Sequence, residues 1–293
     1  MTLFLKITQG SFHQADERFG STAGRQCTCC ALFSATLSVV KNPAYWDFDD
    51  INYVVENGDF LYKMLNRDGY LMFSELPKEI KIGDFTFSIE FLDNPKSELI
   101  NCHSLPGSII EKSMNPLADG FLLQIDGKCV SVTWNKTHFF LFDSHSRNDQ
   151  GITSPEGTAT LMKFSSKRSL ELFIISNFLT KSHGDIAFEI QYIHICKDNK
   201  KEASNAYVKA CRANKRVRVR LENKLTRFST FIKEYKCFYF VLKIIYCLKE
   251  RTRLLKINFY NRNRKFKILT TYAYVTIYKK WAKYANMAFL LTS

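Results

Sequence analysis

The chain lacks a long uninterrupted apolar run. Its longest, residues 238–247, is broken by Lys243 and is well short of the roughly 20 residues that span a bilayer. The first 14 residues are too polar for a signal peptide, so we expect none. These two absences predict an intracellular protein, cytoplasmic or nuclear, without a membrane partner.

Phosphate-binding glycine motifs are also absent, since the sequence has neither a Walker loop nor a G-x-G-x-x-G motif. Cys27, Cys29 and Cys30 are not accompanied by a second C-x-x-C or an H-x-x-x-H pair that would complete a zinc site. We therefore predict no cofactor and no metal. The nine cysteines are odd in number and scattered, which fits reduced thiols better than a disulfide framework.

Charge is distributed unevenly along a chain of otherwise globular composition. Residues 209–293 hold 22 Lys and Arg against three acids, whereas the rest of the chain is mildly acidic. Such asymmetry indicates two parts with different roles. We predict a folded domain over residues 1–198 and a basic, aromatic-rich extension over residues 199–293 that is weakly helical or partly disordered.

The apolar pattern of the first part predicts an α+β fold. A buried helix is expected to follow Cys27 and to end at Asn42-Pro43, because the residue before proline avoids the helical conformation. Asp47 is a suitable N-cap for a second helix, which Gly58 is expected to close.

Alternating apolar residues indicate several strands, and a type I′ turn is predicted at Asp126-Gly127. The predicted strands are residues 85–91, 121–125, 129–134, 139–142, 158–164 and 186–192. Further helices are predicted over residues 108–114 and 170–178. The expected architecture is an antiparallel sheet packed against helices.

Gln14 and Cys27 supply two of the four groups that a thiol-dependent acyl transfer needs. Cys27 lies where a glycine-bearing loop enters the predicted helix, and unpaired backbone N–H groups at such a position lower a thiol pKa. Most free cysteines are nevertheless small core residues, so Cys27 alone is weak evidence. Gln14 lies upstream on the other arm of the loop, where its amide is able to reach an oxyanion.

Asp143 and His145 supply the other two groups. Side chains two apart on an extended segment share a face, so the carboxylate is able to hold one imidazole nitrogen while the other faces Cys27. A D-x-H pair alone is weak evidence, but the apolar strand before it places this one at a sheet edge. Arg147 is predicted to pair with Asp143 or Asp149 as structural support.

Four segments of the chain, taken in their order along the sequence, resemble the motifs of one protein family. They are residues 10–27, Trp46 to Ile51, Gly58 to Tyr62, and the LFDSHSR segment over residues 141–147. Together they resemble the deubiquitinating cysteine peptidase domain of herpesvirus large tegument proteins, and still more its cellular relatives in animal genomes, some of them associated with mobile elements. The likeness covers about residues 8–195. It implies a papain-like fold, in which the helix carrying the thiol packs on an antiparallel sheet carrying the base.

The resemblance implies a cysteine peptidase that removes ubiquitin or a ubiquitin-like protein from conjugates. Cys27 would be the nucleophile, His145 the base, Asp143 its orienter and Gln14 the oxyanion donor. An inactive ubiquitin-binding pseudo-peptidase is one alternative. Another is an ovarian-tumour-type peptidase, although that family has an aspartate where this chain has Gly24.

The basic extension has two interpretations of its own. Cations interleaved with aromatic residues over residues 209–293 are typical of a surface that contacts phosphates and stacks on bases, which makes nucleic acid a candidate partner. The alternative is a solvated basic tail without a specific partner.

Overall fold

The computed structural model describes residues 4–100, 115–179, 186–196 and 202–211, together with single positions at 213, 219, 223, 224 and 226. The chain divides into two compact units, Met1–Arg216 and Val217–Ser293. The second unit lies almost entirely outside the described residues, as does the helix predicted over residues 108–114. The predicted division after residue 198 and the predicted state of the basic extension therefore stay predictions.

An antiparallel sheet organises the described part of the first unit. Its strands are β1 (Lys6–Gln9), β2 (Glu79–Ile82), β3 (Phe85–Ile100), β4 (Gly120–Ile125), β5 (Lys128–Trp134), β6 (Phe139–Arg147), β7 (Thr158–Phe164) and β8 (Ile186–Ile195). They are ordered β1-β7-β6-β5-β4-β8-β3-β2, and every neighbouring pair is antiparallel.

Helices cover both faces of this sheet. They are α1 (Cys27–Val40), α2 (Phe48–Leu65), α3 (Lys167–Ile174) and α4 (residues 202–211). Because side chains alternate along a strand, Phe140 and Phe142 of β6 join the core under α1, and Leu141 joins the core under α3. The α+β class and the antiparallel sheet are therefore confirmed.

The predicted meander β4-β5-β6 is confirmed, with one difference at its end. Asp126 and Gly127 both have positive φ, 51° and 68°, as the predicted hairpin turn requires. The strand predicted to end at residue 142 continues to Arg147. The D-x-H pair therefore lies inside a strand rather than in the loop after it.

Gly58 does not close a helix, contrary to the prediction. Helix α2 begins after its N-cap Asp47, as predicted, but runs through Gly58 to Leu65. A Cβ atom at Gly58 would lie 2.4 Å from the Sγ of Cys30 and 2.6 Å from its Cα. Glycine is therefore required here because α1 and α2 approach closely, and not because the chain turns.

Helix α4 packs on α1 and α2 through a buried hydrogen-bonded ion pair. The Tyr207 hydroxyl donates to Asp50 Oδ1 at 2.8 Å, and Lys41 Nζ donates to the two oxygens of the same carboxylate at 2.8 and 2.6 Å. Tyr207 is 7% exposed and Asp50 is 1% exposed. A segment beyond residue 198 thus takes part in the core of the first unit.

Replacing Tyr207 with phenylalanine is expected to lower the free energy of unfolding by about 1–2 kcal/mol, because a hydrogen bond to a buried charged group is lost. Urea denaturation of the two proteins measures the difference. Tyr45→Phe is the matched control, since Tyr45 is 75% exposed and should leave the midpoint unchanged. Equal stabilities of the Tyr207→Phe and native proteins would contradict this account of α4.

Three further findings concern the described residues alone. No helix among them is long and apolar enough to cross a membrane. No three of their His, Cys, Asp or Glu side chains form a group able to hold a metal ion. Their cysteines, which are Cys27, Cys29, Cys30, Cys129, Cys196 and Cys211, are all free thiols.

Candidate active site

Cys27 is the first residue of α1 and is 2% exposed. The preceding Gln26 occupies the N-cap position but makes no capping hydrogen bond, because its side-chain Nε2 donates instead to the carbonyl of Gln14 at 2.8 Å. The backbone N–H of Cys27 has no hydrogen-bond partner in the described part of the chain. The sulfur therefore lies at a helix N-terminus whose donors are unoccupied, an environment that favours an anion.

A bulge in β6 positions the imidazole. Asp143 pairs with Thr160 of β7 and Arg147 pairs with Thr158, so β6 holds two more residues than β7 over this interval. Bulges redirect side chains from the regular alternation of a strand. Asp143 is fully buried, whereas the side chain of His145 remains 18% exposed.

The carboxylate of Asp143 orients the His145 imidazole, and that imidazole is coupled electrostatically to the Cys27 thiol. His145 Nδ1 lies 2.6 Å from Asp143 Oδ1, and the backbone N–H of His145 donates to the same oxygen at 2.8 Å. This contact places the ring proton on Nδ1 and leaves Nε2 available to a second group. The Cys27 thiol and the His145 imidazole interact electrostatically, since each shifts the pKa of the other.

Arg147 fixes the other oxygen of Asp143, which confirms the first of the two predicted partners. Its Nε donates to Asp143 Oδ2 at 2.7 Å, and both side chains are almost entirely excluded from solvent. Arg147 Nη1 donates to Thr153 Oγ1 at 3.1 Å, and the guanidinium lies 4.8 Å above the ring of Phe178. The carboxylate is therefore held from both sides.

Burial and neighbouring charge act in opposite directions on these groups. Burial tends to raise the pKa of Asp143, but the charges of Arg147 and His145 hold that pKa well below its usual range. Burial tends to lower the pKa of His145, yet Asp143 and then Cys27 raise it to about 9. Burial tends to raise the pKa of Cys27, and His145 more than offsets this, so the thiol pKa is lowered. The lowered thiol pKa and the raised imidazole pKa both shift this pair toward thiolate and imidazolium.

The pH dependence of alkylation tests this ion pair. Iodoacetamide reacts with thiolate, so the rate at Cys27 should reach half its maximum below about 8.5, the value of an ordinary thiol. His145→Ala removes the group that lowers the pKa while the burial remains, so its midpoint should move above 8.5. Mass spectrometry of the Cys27 peptide separates this thiol from the exposed Cys196. Identical midpoints in the two proteins would refute the ion pair.

Gln14 is tied to the bulge of β6. Its backbone N–H donates to the carbonyl of Ser144 at 2.9 Å, and its side-chain Oε1 accepts from the Ser144 hydroxyl at 3.2 Å. Ser144 lies between Asp143 and His145, so this contact brings the amide to the site. The Nε2 group of Gln14 makes no hydrogen bond to any described residue, and it is therefore available as a donor.

All four predicted site residues are thus brought together, and the sequence missed two that support them. Gln26 and Ser144 hold Gln14 between α1 and β6, but neither belongs to a motif that chemistry alone would single out. His13, which precedes Gln14 in the sequence, accepts from the backbone N–H of Ala15 at 3.1 Å. Burial lowers the His13 pKa, and the charge of His145 contributes to that shift.

Comparison with known proteins identifies the family and the fold of the described domain. The family described as Herpesvirus tegument protein, N-terminal conserved region, matches residues 9–199, a span that contains all four site residues. Among solved structures, the fold is similar to the ubiquitin-specific protease encoded by tegument protein M48 of murine cytomegalovirus, crystallised with a ubiquitin-based suicide substrate. The two sequences are 15% identical, the TM-score is 0.54, and the match covers 66% of this chain and 87% of that chain. No curated protein matches the sequence.

The described residues therefore define an α+β protein with the fold of a viral ubiquitin-specific protease. The chain belongs to the family of herpesvirus tegument protein N-terminal regions. This confirms the family predicted from the motifs, whereas the still closer likeness to cellular relatives stays a prediction.

Proposed function

We propose that the protein is a papain-like cysteine peptidase that removes ubiquitin, or a ubiquitin-like protein, from conjugates. The observation that carries this proposal is the coupling of the Cys27 thiol, at a helix N-terminus, to a His145 imidazole that Asp143 orients. The family match and the likeness to a protease solved with a ubiquitin-based substrate support the substrate class. The same match favours this reading over an ovarian-tumour-type peptidase.

The reaction begins with the Cys27 thiolate, which attacks the carbonyl carbon of the substrate's C-terminal glycine. His145 is protonated at that stage, because the thiol proton has passed to its imidazole. Asp143 accepts from the Nδ1–H of this imidazolium and stabilises its charge. Asp143 itself stays ionised, since Arg147 keeps its pKa low.

The tetrahedral intermediate carries its charge on the former carbonyl oxygen. Two donors are available to it, the unoccupied backbone N–H of Cys27 and the side-chain N–H₂ of Gln14. The intermediate then collapses as His145 protonates the departing lysine amine, which leaves a thioester on Cys27. His145 next takes a proton from water, and the resulting hydroxide attacks the carbonyl carbon of the thioester. The C–S bond then breaks, which releases the substrate carboxylate and restores the Cys27 thiolate beside the protonated His145.

A ubiquitin derivative with a C-terminal electrophile tests this proposal directly. The native protein is expected to gain the mass of one ubiquitin, and peptide mapping should place the bond on Cys27. Cys27→Ala should remain unlabelled, whereas Cys196→Ala, which removes an exposed thiol, should be labelled like the native protein. A folded native protein that binds ubiquitin saturably but neither reacts with this probe nor hydrolyses a fluorogenic ubiquitin substrate would instead be an inactive ubiquitin-binding module.

Gln14→Ala is expected to lower kcat by about 10²–10³-fold with little change in KM, because the lost donor acts on the charge that develops in the transition state. Hydrolysis of a fluorogenic ubiquitin substrate measures both constants. Gln150→Ala, a change at an exposed glutamine, should leave both unchanged. A loss in kcat of less than threefold would remove Gln14 from the oxyanion hole.

The basic extension adds no function to this proposal. Residues 209–293 lie outside the described residues except for a few positions, and their interaction with nucleic acid stays a prediction.

A further inference from the structure

The loop that leads to Cys27 begins at Gln14, the proposed oxyanion donor. We call residues 14–26 the donor loop. It contains Gly20 and Gly24, whose φ values of 58° and 82° lie in the left-handed region. Glycine adopts such backbone without strain but also gives the chain its greatest conformational freedom. The position of the donor loop must therefore be fixed by contacts with other parts of the domain.

The far end of the donor loop binds the backbone of Gln14. The Gln14 carbonyl accepts from the N–H of Gly24 at 3.1 Å and from Nε2 of Gln26 at 2.8 Å. Gln26 is fully buried and directly precedes Cys27. A displacement of residues 22–26 would therefore move the backbone that carries the Gln14 amide.

A buried carboxylate on α2 anchors this end of the donor loop. The Thr22 hydroxyl donates to Oδ1 of Asp59 at 2.5 Å, and Nζ of Lys63 donates to Oδ2 at 2.6 Å. The carbonyl of Thr22 in turn accepts from the backbone N–H of Arg25 at 3.1 Å. Hydrogen bonds to a charged acceptor are roughly twice as strong as neutral ones, so Asp59 is a firm attachment point.

The mechanism proposed above gives no role to Asp59, although its side chain is a buried charge. Asp59 is 5% exposed, and Lys63, its cationic partner, is half exposed. A buried carboxylate is costly unless both of its oxygens are paired, and the second oxygen is paired with Thr22 rather than with another cation. Because buried ion pairs add little net stability, we expect this contact to matter chiefly for the position of the donor loop.

We propose that Thr22 and Asp59 are positioning residues for the oxyanion donor. Asp59 holds Thr22, Thr22 holds the end of the donor loop, and that end holds the carbonyl of Gln14. The Gln14 amide thereby stays where the charge of the transition state develops. This inference rests on the proposed function and adds that α2 sets the geometry of the oxyanion donor.

Thr22→Val tests the attachment, since it removes the hydroxyl and keeps the shape of the side chain. It is expected to lower kcat for a fluorogenic ubiquitin substrate by about tenfold, because even a small misplacement of a catalytic group slows the reaction. KM should change little, since the displaced amide acts on the transition state. Thr22→Ser restores the hydroxyl and should recover most of the native kcat.

Thr36→Val is the matched control. The Thr36 hydroxyl donates to the Leu32 carbonyl at 2.9 Å within α1, and Thr36 is fully buried. The same change therefore removes a hydrogen-bonded hydroxyl that has no contact with the donor loop. It should leave kcat and KM of the folded protein unchanged, and circular dichroism melting measures the folded fraction of each variant.

A double variant distinguishes positioning of Gln14 from a general loss of structure. If Thr22 acts through the Gln14 amide, adding Thr22→Val to Gln14→Ala should lower kcat by less than about twofold further, because the two changes remove the same interaction. Effects of the two changes that multiply in full would show that Thr22 acts through another group, and would overturn the inference.

Hydrogen exchange tests the attachment without hydrolysis. The Gly24 N–H, which donates to the Gln14 carbonyl, should exchange faster in Thr22→Val than in the native protein or in Thr36→Val. Mass spectrometry of peptides from the donor loop measures the rates. Unchanged exchange in Thr22→Val, or an unchanged kcat in this variant of an active protein, would overturn the inference. An inactive native protein would overturn the proposed function, whereas faster exchange would still support the attachment of the donor loop to α2.

Discussion

Cys27→Ala is expected to reduce hydrolysis of ubiquitin conjugates by on the order of 10⁴–10⁶-fold, leaving only the residual rate that substrate binding and the oxyanion donors supply. In the proposed mechanism the Cys27 sulfur is the atom that bonds to the substrate, and neither His145 nor Gln14 is able to replace it. A fluorogenic ubiquitin substrate and a panel of diubiquitins measure the loss. Binding of ubiquitin should persist, since Cys27 is nearly buried and alanine fills almost the same space.

Cys129→Ala provides a stringent comparison for this change. Cys129 is also a buried free thiol, but burial raises its pKa well above the ordinary value, so it remains protonated and inert. Any loss of activity in Cys129→Ala should therefore be explained entirely by a smaller folded fraction of the protein. If the Cys27→Ala protein kept more than about a hundredth of the native rate, the nucleophile would have to be another residue.

Asp143→Asn is the second large expected effect, a loss of roughly 10³–10⁴-fold in kcat, the size known for the equivalent change in a serine protease triad. The amide no longer stabilises the imidazolium and does not fix the proton on Nδ1 of His145. The pKa of His145, raised to about 9 mainly by Asp143, should fall, so the alkaline limit of activity should move to lower pH. A pH–rate profile of the residual activity measures this shift.

This variant leaves the buried charge of Arg147 without its carboxylate partner, which costs about 3–5 kcal/mol of stability and lowers activity by a route other than catalysis. Asp143→Asn combined with Arg147→Met removes both charges and should recover most of the stability. Activity should not recover with it. If the double variant regained the native rate, Asp143 would serve only to compensate Arg147.

The site was largely predictable from the sequence because its signals are local. The position of Cys27 at a loop-to-helix boundary indicates an activated thiol. The spacing of Asp143 two residues before His145 indicates an oriented base. Neither inference requires knowledge of the fold. The proximity of Cys27 to Asp143 and His145 is not a local property of the sequence, because it depends on α1 packing against β5 and β6. The order of the motifs indicated a family, and the fold of that family implied that the segments around Cys27 and His145 lie together.

Other features depend on packing that no short pattern contains. In the sequence, Gly58 indicates the end of a helix. The structure shows instead that Cys30 of α1 lies so close to Gly58 that only glycine fits at this position inside α2. The bulge after Asp143 is set by the register of β6 against β7, which the alternation of apolar residues does not specify. Cations dominate the sequence after residue 198, so its composition did not indicate that Tyr207 belongs to the core.

The position of α4 has a practical consequence for anyone preparing a minimal fragment. The family match ends at residue 199, and that boundary is the natural choice for truncation. A protein cut there would lose Ala203 and Tyr207, uncover the apolar surface that they shield, and leave Asp50 one donor short. A minimal fragment that keeps this core intact should therefore extend at least through residue 211.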